Sequence, residues 1–279
     1  MVARLARRQG DRATSRALAA ESRDLSEAAG DDVGVARSLL VIATEGAVAD
    51  WAPTVEDSLE RFRRAGDLAG VARALQSLGN AVSYQGDYVA ARTHFEQSVA
   101  IRRAIGDLWG LEDLLNNLGV TAFGLGQLEA ARALHEEALA MRRRVGSAPG
   151  IAQSELNLAS IDVATGDAAS ARDRLRAMLP RHIEHDARIG LVECMEWTAC
   201  VAAQSGDPAT ALVLFGAADT ARAAYADPLD RMFTNLHGRL RAAAEAALAP
   251  DAAAAALAEG RALSHAQAVE RTARYLGAG

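Results

Sequence analysis

Residues 86–127 read GDYVAARTHFEQSVAIRRAIGDLWGLEDLLNNLGVTAFGLGQ, a segment punctuated by Gly86-Asp87, Gly106-Asp107 and Gly126-Gln127 at intervals of 20 residues. One interval holds a helix and a tight turn. The beat continues outward to Gly66-Asp67 on one side and to Gly146-Ser147, Gly166-Asp167 and Gly206-Asp207 on the other. Two intervals make a hairpin of 40 residues. Self-similarity of that length marks stacked helical hairpins, a solenoid whose contacts run between neighbouring repeats. The expected molecule is all-α and elongated, with little or no β-structure.

On this beat the first helices of four hairpins fall near residues 69–85, 109–125, 149–165 and 189–205. In the first hairpin Leu75-x2-Leu78-Gly79-x2-Val82 precedes Ala91-x3-Phe95; in the second, Leu115-x2-Leu118-Gly119-x2-Ala122 precedes Ala131-x3-His135. Small residues stand where helices cross closely and large ones fill the gaps. The third hairpin keeps Leu158-Ala159, Ala171 and Leu175 but carries Glu155 and Asp162 at apolar places, which suggests a rotated helix. The fourth keeps Met195, Thr198-Ala199, Ala211 and Phe215.

The expected organisation is an array over residues 1–228 and a helical cap over 229–279. The array divides into a half repeat 1–31, a short repeat 32–66 around Trp51 and Pro53, and repeats near 67–106, 107–146, 147–186 and 187–228. The half repeat opening at Gly10-Asp11 implies that the chain begins inside a repeat, as a fragment or short relative of a longer protein would. Ala226-Asp227-Pro228 stops the beat. In the cap, a helix is expected to end before Pro250, Asp251 to cap the next, Gly260 to close it, and Ser264-x-x-Gln267 to form a capping box for the last.

Half of the 279 residues are apolar and only 4% are aromatic, a helical composition with thin, Ala-lined contacts. All 30 basic residues are Arg. The absence of Lys removes a Walker-type phosphate lysine and a Schiff-base lysine from the possible chemistry. With a net charge of −6 and Arg dispersed among carboxylates, direct nucleic-acid binding is not expected. Arg102-Arg103 and Arg142-Arg143-Arg144 stand where helices end and are expected to satisfy terminal carbonyls. Cys194 and Cys200, six apart, fit neither a disulfide framework nor a CxxC metal pair and read as reduced and buried. Residues 1–12 lack a signal-type apolar core and no run of 18 apolar residues occurs, so a cytoplasmic chain with no membrane partner is expected.

The repeats resemble the tetratricopeptide pattern, which implies a right-handed superhelical solenoid of antiparallel helical hairpins with C-terminal capping helices. Leu114-Leu115-Asn116-Asn117-Leu118-Gly119 and the Gly86–Arg92 turn look like the long-period arrays of large bacterial regulators. Leu214-Phe215-Gly216-Ala217-Ala218, with Ala258-Glu259-Gly260-Arg261-Ala262-Leu263-Ser264 and Gln267-Ala268-Val269, is similar to the end of that region in bacterial signal-transduction (STAND-type) ATPases of the LuxR-like and AfsR-like regulator group. The resemblance implies a sensor or partner-docking module. ATPase and DNA-binding modules would belong to a longer parent chain or a partner, since no phosphate-loop motif occurs here.

A stacked array exposes its first helices on the concave side, and the stripe i, i+4, i+7, i+11 reads along each. Arg73, Ser77, Asn80 and Tyr84 line the first; Asp113, Asn117 and Val120 the second, with Asn116 beside them; Gln153, Asn157 and Ser160 the third; Glu193, Trp197, Cys200 and Gln204 the fourth, with Glu196 beside them. Asn117 and Asn157 share a repeat position, where an amide offers donor and acceptor to an extended peptide at any pH. His182 and His185, beside Glu184 and Asp186, match no zinc motif, and no nucleophile–base constellation stands out, so no catalytic residue, metal or cofactor is assigned. The expected function is a protein- or peptide-binding regulatory or scaffold module. The alternatives are a small-ligand or signalling-peptide sensor and a homo-oligomerisation scaffold.

Overall fold

The computed structural model describes residues 12–45, 51–108, 110–225 and 231–277. The expected chain start inside a repeat and the break at Ala226–Pro228 lie outside them. The described residues form fourteen helices and no strand. They are α1 (Arg12–Ala28), α2 (Asp32–Thr44), α3 (Trp51–Ala65), α4 (Leu68–Tyr84), α5 (Tyr88–Ala104), α6 (Leu111–Gly124) and α7 (Leu128–Val145), then α8 (Ala148–Thr165), α9 (Ala168–Glu184), α10 (Arg188–Gln204), α11 (Pro208–Tyr225), α12 (Arg231–Ala246), α13 (Pro250–Ala262) and α14 (His265–Leu276). The chain divides into two compact units, one ending at Leu125 and one beginning at Gly126. In the first, consecutive helices α1 to α6 pack as antiparallel neighbours, and α2 with α4 and α4 with α6 also touch. In the second, α7 to α11 continue the same packing, α8 touches α10, and α12 to α14 close on α10 and α11.

The Gly-Asp pair has a double role at the turn before α4. Gly66 takes φ +68°, the left-handed region in which a side chain is strained. Its amide bonds Arg63 O while the Asp67 amide reaches back to Phe62 O, a Schellman closure of α3. The Asp67 carboxylate then accepts from Gly70 N at 2.8 Å and caps α4. Asp31, Asp87, Asp167 and Asp207 repeat the cap on Gly34, Ala90, Ser170 and Thr210. Asp186 holds the corresponding turn without glycine, at φ +45°.

A second register runs beneath the first. A residue in the last turn of one helix fills the space in which a Cβ would stand on a glycine eight positions later: Ser26 at Gly34, Phe62 at Gly70, Arg142 at Gly150 and His182 at Gly190. Arg102 lies over Gly110 in the same manner, 3.6 Å from the ideal Cβ position. These side chains are plugs between successive hairpins. Arg102 and Arg142, expected to serve helix-end carbonyls, are instead 6% and 4% exposed. Arg102 donates to Asp107 at 2.9 Å and Gln76 at 3.1 Å, and Arg142 to Gly150 O at 3.1 Å and Ser154 Oγ at 2.7 Å.

Within hairpins, buried Ser58 and Ser98 donate to the carbonyls of Ala36 and Ala72, at 2.8 and 2.7 Å. The misfit carboxylates of α8 are neutralised by arginines from both flanking helices. Asp162, 1% exposed, meets Arg132 of α7 at 2.8 Å and Arg174 of α9 at 2.9 Å. Glu155 meets Arg143 of α7 and Arg174, each at 2.6 Å.

Two details of the cap differ from expectation. Asp251 lies inside the first turn of α13, since Pro250, with no amide to satisfy, begins the helix after Ala249. Gly260 does not end α13, which runs to Ala262. It is a crossing point, where a side chain would strike the Val213 carbonyl of α11; in turn a Cβ on Gly216 would strike Leu257 O. The Ser264–Gln267 capping box forms as expected, with Ser264 N donating to Gln267 Oε1 at 2.9 Å.

Candidate partner-binding face

In the first unit the residues of the expected stripe lie on α4 and α6. Asp67 fixes the start of α4. The start of α6 is later than its repeat position predicts, because Asp107 is engaged by Arg102 and left-handed Gly110 becomes the N-cap. The two helices meet through an amide pair, in which Asn117 Nδ2 donates to Asn80 Oδ1 at 3.0 Å. Ser77, Asn80, Asn116 and Asn117 are half-buried, whereas Arg73, Tyr84 and Asp113 are exposed. The Arg73 guanidinium stands over Phe62 at 6.0 Å, and the Tyr84 ring meets Trp51 edge-on at 5.8 Å. Tyr84, four residues after Asn80 on α4, is 64% exposed.

In the second unit the expected residues turn inward. Asn157 is 7% exposed, accepts from Gln153 Nε2 at 3.2 Å and lies 3.5 Å from His135 Nδ1. Burial, reinforced by nearby Arg142, holds His135 down to about 4, so its ring is neutral at pH 7. Ser160, 2% exposed, returns its hydroxyl to Asn157 O at 2.7 Å. Glu196 binds Arg222 of α11 through both oxygens, at 2.7 Å each, and Glu193 is half-buried. Trp197, 2% exposed, packs edge-on against Phe233 and His237 of α12, with centroids 4.9 and 4.4 Å away. The structure thus brings Asn80 and Asn117 together on a half-exposed face and places Asn157, Ser160, Glu196 and Trp197 in the interior.

His135 stands at the repeat place that Phe95 fills in the first hairpin, whereas Arg222, Phe233 and His237 were not read as site residues from the sequence. For Arg222 a signal exists: residues 26 apart face each other within a hairpin, as Ala72 and Ser98 or Gln76 and Arg102 do, and Glu196 and Arg222 keep that spacing. Phe233 and His237 carry no such register, since α12 lies beyond the repeats.

His182 is 8% exposed against Gly190, with its pKa lowered by burial and then by His185, while His185 is exposed. Among the described residues no group of three or more His, Cys, Asp or Glu could hold a metal ion. Cys194 and Cys200 are free and buried, and burial, with Glu193 and Glu196 nearby, pushes both thiols up. Among the described residues no helix is long and apolar enough to cross a membrane.

No curated protein sequence matches the chain. A solved structure, "Crystal structure of BtubC (BKLC) from P. vanneervenii", is similar in fold at a TM-score of 0.59 and 18% identity, covering 77% of this chain and 92% of that one. The family model for the tetratricopeptide repeat matches residues 53–104 and 111–181. Repeats of this kind generally mediate protein–protein interaction or scaffolding. Helices α3 to α9, with their Gly-Asp turns and crossing glycines, therefore form a tetratricopeptide-repeat region.

Proposed function

We propose that the chain is a protein- or peptide-binding regulatory module whose binding face in the first unit is built on Asn80 and Asn117. The observation that carries this reading is their shared hydrogen bond. Each amide spends one group on the other. Asn80 Nδ2 and Asn117 Oδ1 are the other halves of the two amides, one donor and one acceptor, the kinds of group that an extended backbone requires. Ser77 and Asn116 widen the polar strip, Tyr84 offers an aromatic surface at one end, and Arg73 and Asp113 add charges for direction. The similarity of the C-terminal stretch to STAND-type regulators supports a role as the sensor or docking part of a bacterial signalling or transcriptional regulator.

The test is a selection of displayed peptides on the full chain, followed by affinity measurement of the enriched sequences on the chain and on Asn80→Ala/Asn117→Ala. The expected loss is at least tenfold, about 1.4 kcal/mol. Enriched peptides that bind the double variant equally well would sink the assignment.

A further inference from the structure

Trp197 occupies, 40 residues after Asn157 and 80 after Asn117, the repeat position that is half-exposed as Asn117 in α6 and buried as Asn157 in α8. In α10 that position is covered by another helix of the same chain, α12, which lays Phe233 and His237 on the indole. Arg241, one turn further along α12, reaches Asp219 of α11 through Nη1 at 3.1 Å to each oxygen, with its guanidinium 6.0 Å above the Phe215 ring. Phe233, Leu236, Leu240 and Arg241 stand at i, i+3, i+7 and i+8, the pattern with which an amphipathic helix enters a groove.

The neighbours of α12 are held far more firmly than α12 itself. α11 buries eight consecutive residues, Ala211 to Ala218, and meets α13 through the paired backbone crossings at Gly216 and Gly260. Among the described side chains of α12, the buried ones are Leu236, His237 and Ala244. One of the three is a histidine whose Nε2 finds no hydrogen-bond partner. α13 thus stays locked to α11 by contacts in which α12 takes no part. α12 packs across both as a strap.

We propose that α12 is a built-in occupant of the α10 face around Trp197, and that this face receives, when α12 lifts, a partner helix with an aromatic residue, apolar residues three and seven positions on, and an arginine eight positions on. The strap would make binding conditional, because a partner must outcompete a tethered helix. This goes beyond the reading of α4 and α6, which lies in the other unit and rests on Asn80 and Asn117.

The probe is a labelled synthetic peptide of residues 231–246, titrated into the full chain and into its Phe233→Ala/Leu236→Ala variant. The variant should bind the peptide at least tenfold more tightly than the unaltered chain, and adding Trp197→Ala should abolish the gain. In the unaltered chain, hydrogen exchange should show amides of α12 at least tenfold less protected than those of α11 and α13. This second measurement decides the matter even where the variants fail to fold. Equal peptide binding by folded variant and unaltered chain, a gain that survives Trp197→Ala, or α12 amides exchanging in step with α11 and α13 would each overturn the proposal.

Discussion

The imidazole of His182 fills the space that a Cβ on Gly190 would need, so the last turn of α9 and the first turn of α10 are seated on each other through one side chain and one missing side chain. Phe62 on Gly70 and Arg142 on Gly150 make the same joint. The shape is shared and the chemistry is not: a phenyl ring, a guanidinium and an imidazole serve in turn.

Gly190→Ala is the direct test of this joint. On an isolated helix the change would gain about 1 kcal/mol in propensity. Here the methyl group meets a buried ring, and the expected result is a net loss of about 1–2 kcal/mol in denaturant unfolding. Combination with His182→Ala should restore part of it, because the two residues share one space. Simple additivity would show that the ring moves aside freely.

Asn117 and Asn157 share a repeat position but should respond oppositely. Asn157→Ala removes a buried amide held by Gln153 and His135 and should cost about 1–2 kcal/mol of stability. Asn117→Ala, on a half-exposed face, should change stability by under about 1 kcal/mol. Urea midpoints of the two single variants separate the cases.

Acid should weaken the second unit before most carboxylates titrate. His135 and His237 are both held from 6.5 down to about 4, first by burial and then by Arg142 and Arg222 respectively. The unfolded chain takes up protons below about pH 6.5 that the folded chain refuses until about pH 4. Their neutral burial is thus fully tolerated above about pH 6.5, and stability falls as pH drops from there toward 4, by about 2 kcal/mol per histidine at pH 5. The urea midpoint should fall between pH 7.5 and 5, and His135→Gln/His237→Gln should flatten that fall. An unchanged slope in the double variant would place the acid sensitivity elsewhere.

Asp186 sits at φ +45° in a turn where the other repeats use glycine, and its carboxylate is exposed beside Arg188. Asp186→Gly should relieve the left-handed strain and raise stability by about 0.5–1 kcal/mol, read as a higher melting temperature. A lower melting temperature would mean that the ion pair outweighs the backbone.

The turns were legible because their physics is local: a glycine in the left-handed region and an aspartate three residues from an amide need no knowledge of the rest of the fold. The first helices of the hairpins lie within about two residues of their expected positions for the same reason. Arg102 and Arg142 stand in last helical turns as expected, but their partners Gln76 and Ser154 lie on other helices and carry no local signal. The spacing of eight between each plug and its glycine was nevertheless open to reading. Trp197 shows the limit: its repeat position points to a ligand-facing side chain, but no periodicity says that α12 returns to cover it.

The crossing of α11 and α13 has a different consequence from the plugged joints. A ring or guanidinium over a glycine can be trimmed by a second substitution, so a mutation at Gly190 has possible suppressors. At Gly216 and Gly260 the opposing atoms are the carbonyls of Leu257 and Val213, which every amino acid carries. Random libraries of this chain should therefore recover neither position as anything larger by side-chain repacking, and true reversion is the expected route back.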